Sequence, residues 1–459
     1  MLKGKSAENK YQMDMCNGSI LKKMLIFTVP LMFSSILQLL FNAADIVVVG
    51  KFAGDNSLAA VGSTSSLINL LVNLFIGLSI GGNVLAARYF GAKQDRDLSE
   101  TVHTAMTVSV ISGVVLAIVG ILGSPIILTW MKTPEEVLDL AVIYLRIYFI
   151  GMPAMMVYNF GASILRAIGD TKRPLYFLMA AGVINVALNL IFVIVIRMDV
   201  AGVALATTIS QCVSAYLVVR CLLREEGAIR LDLKKMHISK DKFLKILQIG
   251  LPAGFQGILF SLSNVVIQSS INSFGKIIVA GNSAAANLEG FVYVAMNSLY
   301  QGAISFTSQN IGAGKYERIN KILFTALACV IVVGVVFGNA VVLFGEPLLG
   351  LYSDSEIVIE AGLLRLKYIC GVYALCGMMD VMVGMLRGMG YSIVPMIVSL
   401  IGACALRIVF LTTVFKLEEF HKIENVYLTY PVSWILTFIA HVITFIIVKK
   451  RLNRRLKVA

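Results

Sequence analysis

The stretch Leu165-Arg166-Ala167-Ile168-Gly169-Asp170-Thr171-Lys172-Arg173-Pro174 has a counterpart in Leu386-Arg387-Gly388-Met389-Gly390-Tyr391-Ser392-Ile393-Val394-Pro395. The shared Leu, Arg, Gly and Pro are all displaced by 221 positions in a chain of 459. That shift is close to half the length, so the chain reads as one unit written twice. Other pairs share the shift to within a residue or two. Pro30 matches Pro252, Ile36-Leu37 with Asn42 matches Ile258-Leu259 with Asn264, and Gly91-Ala92 matches Gly312-Ala313.

Composition says what kind of unit is repeated. Hydrophobic residues make up 58 % of the chain and charged residues 14 %. A soluble protein carries about 25 % charged residues. Uncharged runs cover residues 24–44, 174–196, 200–219, 246–275, 290–314, 322–345 and 425–448. Each approaches or exceeds the ~20 residues needed to cross a bilayer as a helix. The pattern predicts an all-α integral membrane protein with twelve spans, near 20–44, 57–86, 100–123, 139–165, 174–196, 201–220, 246–273, 284–308, 322–345, 363–386, 391–414 and 426–448. Six spans per copy is an even number, so both copies enter the membrane from the same side. The repeats are therefore expected to be parallel six-helix bundles. The expected divisions are a tail (1–19), an N-terminal lobe (20–223), a linker (224–245), a C-terminal lobe (246–448) and a basic tail (449–459).

The net charge of +13 fits the positive-inside rule better than nucleic-acid binding. Of 39 basic residues, 29 fall on the side holding both termini and 6, including Lys132, on the other. Both termini are therefore expected in the cytoplasm, with the protein in the cell membrane. The first 20 residues are polar and mixed in charge, so the first span is expected to remain as a helix and not to be cleaved. The seven cysteines are scattered, mostly at membrane depth, with no C-x-x-C, and imply neither a disulfide framework nor a zinc site. No nucleophile or metal constellation is visible, so an enzyme and a cofactor are not expected.

Ionisable groups at membrane depth are costly and mark functional candidates. Asp45 lies near the expected end of the first span, with Asn42 at i−3 on the same helix face. The fifth span carries Asn185 and Asn189, an i, i+4 pair in an otherwise apolar segment. Their amide oxygens can join a carboxylate in a cation site, though buried amides also simply bond helix to helix. Asp380 in the tenth span and Glu289, expected at the start of the eighth, form a second candidate acid site. Asp170, Asp199, Asp354, Glu418 and Glu424 fall in expected loops and should be solvated. Asn42, Met155, Asn159, Gln256 and Met379 are candidates to line a substrate cleft, the methionines because flexible thioethers suit varied apolar ligands. Pro30 and Pro252 are candidate hinges, since each removes a backbone bond inside a span.

Several motifs carry a family resemblance. Leu40-Phe41-Asn42-Ala43-Ala44-Asp45-Ile46-Val47-Val48-Val49-Gly50, Leu165 through Pro174, Val200-Ala201-Gly202-Val203-Ala204-Leu205-Ala206-Thr207 and Ser308-Gln309-Asn310-Ile311-Gly312-Ala313 resemble signatures of the multidrug and toxic compound extrusion (MATE) transporters. These belong to the multidrug/oligosaccharidyl-lipid/polysaccharide superfamily. The resemblance covers roughly residues 18 to 450. It implies twelve helices in two lobes with a V-shaped cleft, acting as a monomer. It also implies export of amphipathic, mostly cationic organic compounds in exchange for H+ or Na+. In one branch, an Asp on helix 1, an Asn and an Asp on helix 5 and a Thr on helix 6 hold the coupling ion. Those positions match Asp45, Asn185, Asn189 and Thr207, with Asn189 replacing the second Asp. The other branch uses a Glu on helix 7, which has no counterpart between residues 246 and 274. It also uses an Asp on helix 10, for which Asp380 is the candidate. The alternative function is a lipid-linked oligosaccharide or lipid II-type flippase of the same superfamily, which would need basic residues to receive pyrophosphate. Arg407 is the basic residue best placed inside a span for that role.

Overall fold

In a bilayer the backbone must satisfy its own hydrogen bonds, so long apolar segments become helices. A computed structural model describes residues 11–131 and 133–458. Lys132, assigned above to the outer side, lies outside the described residues, as do residues 1–10 of the N-terminal tail and Ala459.

The helices are α1 (Ile20–Phe52), α2 (Asp55–Gly91), α3 (Asp95–Trp130), α4 (Glu135–Ile150), α5 (Met152–Ala167), α6 (Lys172–Val195) and α7 (Asp199–Arg224). The second copy supplies α8 (Lys240–Asn272), α9 (Lys276–Gly312), α10 (Arg318–Leu343), the short α11 (Gly345–Gly350), α12 (Glu356–Ile369), α13 (Ala374–Gly388), α14 (Ile393–Lys416) and α15 (Ile423–Val458). Ten are long and apolar enough to cross a membrane singly. The pairs α4–α5 and α12–α13 each make one span bent by about 45°, which gives the twelve expected spans.

The two bends fall in matching spans but have different local causes. Gly151 and Pro153 interrupt α4–α5, where the proline supplies no backbone donor. At α12–α13 a single 3-10 turn, Cys370–Val372, does the same without proline. Packing repeats as well. A side chain at Gly113 of α3 would collide with the backbone of Pro153, and one at Gly334 of α10 with the backbone of Ala374, both 221 positions on. Small residues here let neighbouring backbones touch, which is what holds helices together in lipid.

The chain divides into two compact units. The first holds residues 11–18, 29–254 and 308–314, and the second residues 19–28, 255–307 and 315–458. The division falls inside α1 between residues 28 and 29, beside Pro30, and inside α8 between 254 and 255, beside Pro252. Both helices run through their prolines without a break. Within the first unit, Gly77 and Gly81 of α2 press against the backbone of residues 246–254 of α8. Within the second, Gly302 of α9 presses against Thr28 of α1.

Three sequence expectations need correction. First, α1 continues to Phe52, so Asp45 lies well inside the helix and not near its end. The polar residues Asn42 and Asp45 do not stop a helix whose other groups are apolar. Second, α9 starts at Lys276, which puts Glu289 in its middle and not at its start. Third, Asp170 is buried and not solvated, at 1 % exposure. It accepts the backbone N–H groups of Lys172 and Arg173, each at 3.1 Å, where α6 begins, and pairs with the Arg173 guanidinium. Arg173 also pairs with Glu225. The unpaired N–H groups of a helix start account for this acid.

Candidate functional site

Asp45 meets its partners because α1 and α6 approach closely one turn earlier. A side chain at Gly182 of α6 would run into the ring of Phe41. With only hydrogen there, Phe41 packs against α6. Asp45, four residues on, then reaches Asn189. The amide of Asn189 donates to one carboxylate oxygen of Asp45. The hydroxyl of Thr207 on α7 donates to the other at 3.4 Å. Asn185 donates to Thr207 at 3.3 Å, and Asn189 also donates to the Asn185 side-chain oxygen at 3.3 Å. All four expected ion-site residues therefore come together, on three helices.

The cluster keeps spare acceptor capacity. Asn189 is fully buried, and its side-chain oxygen has no hydrogen-bond partner. The helix changes to a π-turn at once after it, over Leu190–Val195. Such turns widen a helix locally and gather at functional positions. The oxygens of Asp45, Asn185, Asn189 and Thr207 form a hard donor set suited to a small cation.

This cluster borders a cavity of about 480 Å³ inside the first unit. Asn42, Met155 and Asn159 line it. Asn159 donates to the carbonyl of Met155 at 2.9 Å. Among the described residues that line the cavity, Asp45 is the one that is charged and none is basic. Several lining residues escaped the sequence reading: Gln38, Asn69, Asn73, Tyr144, Tyr148 and Gln211. The signal was present, because Asn69 with Asn73 and Tyr144 with Tyr148 are i, i+4 pairs like Asn185 with Asn189. The two tyrosine rings stack with centroids 6.0 Å apart.

The second unit holds the remaining candidates in a different setting. Glu289 pairs with Arg365 of α12 at 2.6 Å, and Arg365 also donates to Asn282 at 2.7 Å. Asp380 sits beside Tyr293 and Arg387. Arg387, from the repeated motif, is buried and donates to Gln256 at 2.8 Å and to the Tyr300 hydroxyl. It thus ties α8, α9 and α13 together. Gln256 and Met379 are not among the residues lining the first-unit cavity. Met379 is 3 % exposed, in the interior of its unit. Arg407 donates to Ser433 at 2.7 Å and stacks on Tyr430 at 4.2 Å, with one terminal nitrogen unpartnered. Glu289 and Asp380 neighbour different arginines, Arg365 and Arg387. Among the described residues, no group of three or more His, Cys, Asp or Glu could hold a metal ion.

A family model described as MatE matches residues 30–191 and 252–413, the same stretch in each repeat. The chain is 28 % identical over 426 residues to the "Probable multidrug resistance protein YoeA" of Bacillus subtilis (strain 168), covering 91 % of each chain. It is 23 % identical over 375 residues to the "Multidrug export protein MepA" of Staphylococcus aureus (strain NCTC 8325 / PS 47), covering 81 % of this chain and 82 % of that one. Its fold matches a solved outward-facing multidrug resistance MATE transporter of the MOP superfamily, with a TM-score of 0.90 at 20 % identity over 96 % of this chain and 98 % of that one.

Proposed function

We propose a mechanism for a chain that belongs to the MatE family of multidrug efflux transporters: antiport of amphipathic, mostly cationic organic compounds against H+ or Na+ by alternating access. The observation that carries this reading is the position of Asp45. It is the one charge among the described residues of the cavity wall, and it is held by Asn189 and Thr207.

A negative cavity attracts an organic cation. A coupling ion that reaches Asp45 cancels that attraction without having to touch the substrate. A proton does so by neutralising the carboxylate. Na+ does so by taking the carboxylate and amide oxygens as ligands, with the Asn189 amide turned to present its unpartnered oxygen. Either way the site has one carboxylate, so one monovalent cation balances it. Entry of one charge through a potential of about 100 mV supplies about 2.3 kcal/mol. Export of a monovalent organic cation costs the same amount, so a one-for-one exchange is driven by the coupling ion's own concentration gradient, about 1.4 kcal/mol for each tenfold. Bending of α1 at Pro30 and of α8 at Pro252 would pass the change along the chain, since both prolines lie where the helix passes from one compact unit to the other.

The protein would act as a monomer in the cell membrane with both termini in the cytoplasm, as the excess of Lys and Arg on that side requires. The flippase alternative is not favoured. A pyrophosphate needs cationic partners, and the cavity wall has none.

The test is transport in reconstituted vesicles with pH and Na+ gradients imposed separately, using a fluorescent organic cation. Export driven by at least one gradient is expected. Equal export without any gradient, or by Asp45→Asn at the wild-type level, would overturn the mechanism.

A further inference from the structure

The cavity wall has more polar equipment than binding a greasy cation requires. Gln38, Asn42 and Asp45 follow one another on one face of α1 at spacings of four and three. Ser65, Asn69 and Asn73 follow at spacings of four on α2. At 1.5 Å per residue these ladders each run about 10 to 12 Å along the cavity. Every one of the six lines the same space.

The four amides share a second feature. Some other amides in the spans spend their hydrogen bonds on the protein. Asn83 donates to Ser163, Asn159 to Met155, and Asn310 to Met15. Gln38, Asn42, Asn69 and Asn73 make no side-chain hydrogen bond to another described residue. An amide in a membrane span that packs helix to helix finds a partner. These four present both a donor and an acceptor to the cavity instead.

From this array we infer that the cavity selects organic cations carrying neutral hydrogen-bonding groups, such as amino, hydroxyl or amide groups, along their length. The inference rests on the antiporter reading and narrows its substrate class. Asp45 takes the charge, and the two ladders take the neutral polar groups. A purely apolar cation of the same size leaves the amides facing it unpaired, and that loss is what rejects it. Charge alone cannot give this preference, because Asp45 sees the same charge in both ligands.

A matched pair of ligands tests it. Ethidium is a monocation with a planar phenanthridinium core that carries two exocyclic amino groups. Its analogue lacking both amino groups has the same rings and charge and is more apolar. Binding of each to the purified full-length protein in detergent is measured without any ion gradient. The expected result is that ethidium binds about tenfold more tightly, the size of one or two net hydrogen bonds. In Asn69→Leu/Asn73→Leu the ratio of the two dissociation constants falls toward one. If that double variant loses both ligands, the ratio in Asn42→Leu decides, with the same fall expected. A wild-type ratio at or below one, a ratio unchanged by the leucines, or failure of the wild type to bind either cation overturns the inference. Transport of ethidium in vesicles is scored separately. Gradient-driven export with no preference for ethidium sinks the selectivity and spares the antiporter. A strong preference in binding with no gradient-driven export does the reverse.

Discussion

Asn189 donates its amide hydrogen to Asp45 across 144 residues of sequence, and in doing so leaves its own oxygen unpartnered. The bond orients the one charged group among the described residues that line the cavity. It also leaves an acceptor in reserve at the point where a cation would bind. The consequences can be measured.

Asp45→Asn removes the charge and keeps the size. Gradient-driven export of an organic cation should fall by at least tenfold, to the leak rate of empty vesicles. The variant should keep its thermal unfolding temperature within a few degrees, since an amide can still bond Asn189 and Thr207. A fall in transport matched by loss of folded protein would point to a structural role only.

Asn189→Asp adds a second carboxylate beside the first. Two like charges in one cluster favour a bound cation over an empty site. Na+ should bind about tenfold more tightly, read as the Na+ concentration that half-displaces a fluorescent cation. No change in that concentration would mean that residue 189 is not a ligand.

Gly182→Ala puts a methyl group where the Phe41 ring lies. The ring must move, and overpacking of this kind costs about 1–3 kcal/mol. Because Phe41 sets the approach of α1 to α6, coupling should suffer more than folding. The expected result is a modest drop in unfolding temperature with loss of ion-dependent transport. Phe41→Leu in the same chain should restore part of both.

Glu289 and Arg365 form a nearly buried ion pair in the second unit. Removing one partner strands the other charge, at about 3–5 kcal/mol. Arg365→Met alone should therefore destabilise strongly, and Glu289→Gln/Arg365→Met should recover most of the loss. If Glu289→Gln abolishes coupling while the fold is intact, the second unit carries an ion site of its own.

Much of the fold could be read before any coordinates, because the bilayer leaves few choices. Apolar runs of the right length must be helices, and a 221-residue repeat must be two copies of one bundle. Helix ends were less legible. Apolar character stops at the membrane surface, but helices continue past it, so Asp45 and Glu289 were placed too near their ends. Asp170 was misjudged because a loop residue was assumed to be wet. The start of α6 and Arg173 instead supply enough partners to bury it.

The site divides along the same line. Asp45, Asn185 and Asn189 stand out in the sequence as polar groups in apolar helices, whereas Thr207 follows from the family resemblance alone. Asn69 and Asn73 had the same spacing in an equally apolar stretch, yet nothing in the sequence distinguished amides that face a cavity from amides that bond a neighbouring helix. That distinction is tertiary. Periodicity places a side chain on a face of its helix, but only packing decides what the face meets. Sequence alone determined that this chain is a duplicated twelve-span membrane protein with very few charges at depth, because solvation in lipid is decided residue by residue. Only the tertiary structure decided that Asp45 would stand alone on the cavity wall, because that depends on how closely Gly182 lets α1 approach α6 and on which polar groups find partners when the helices meet.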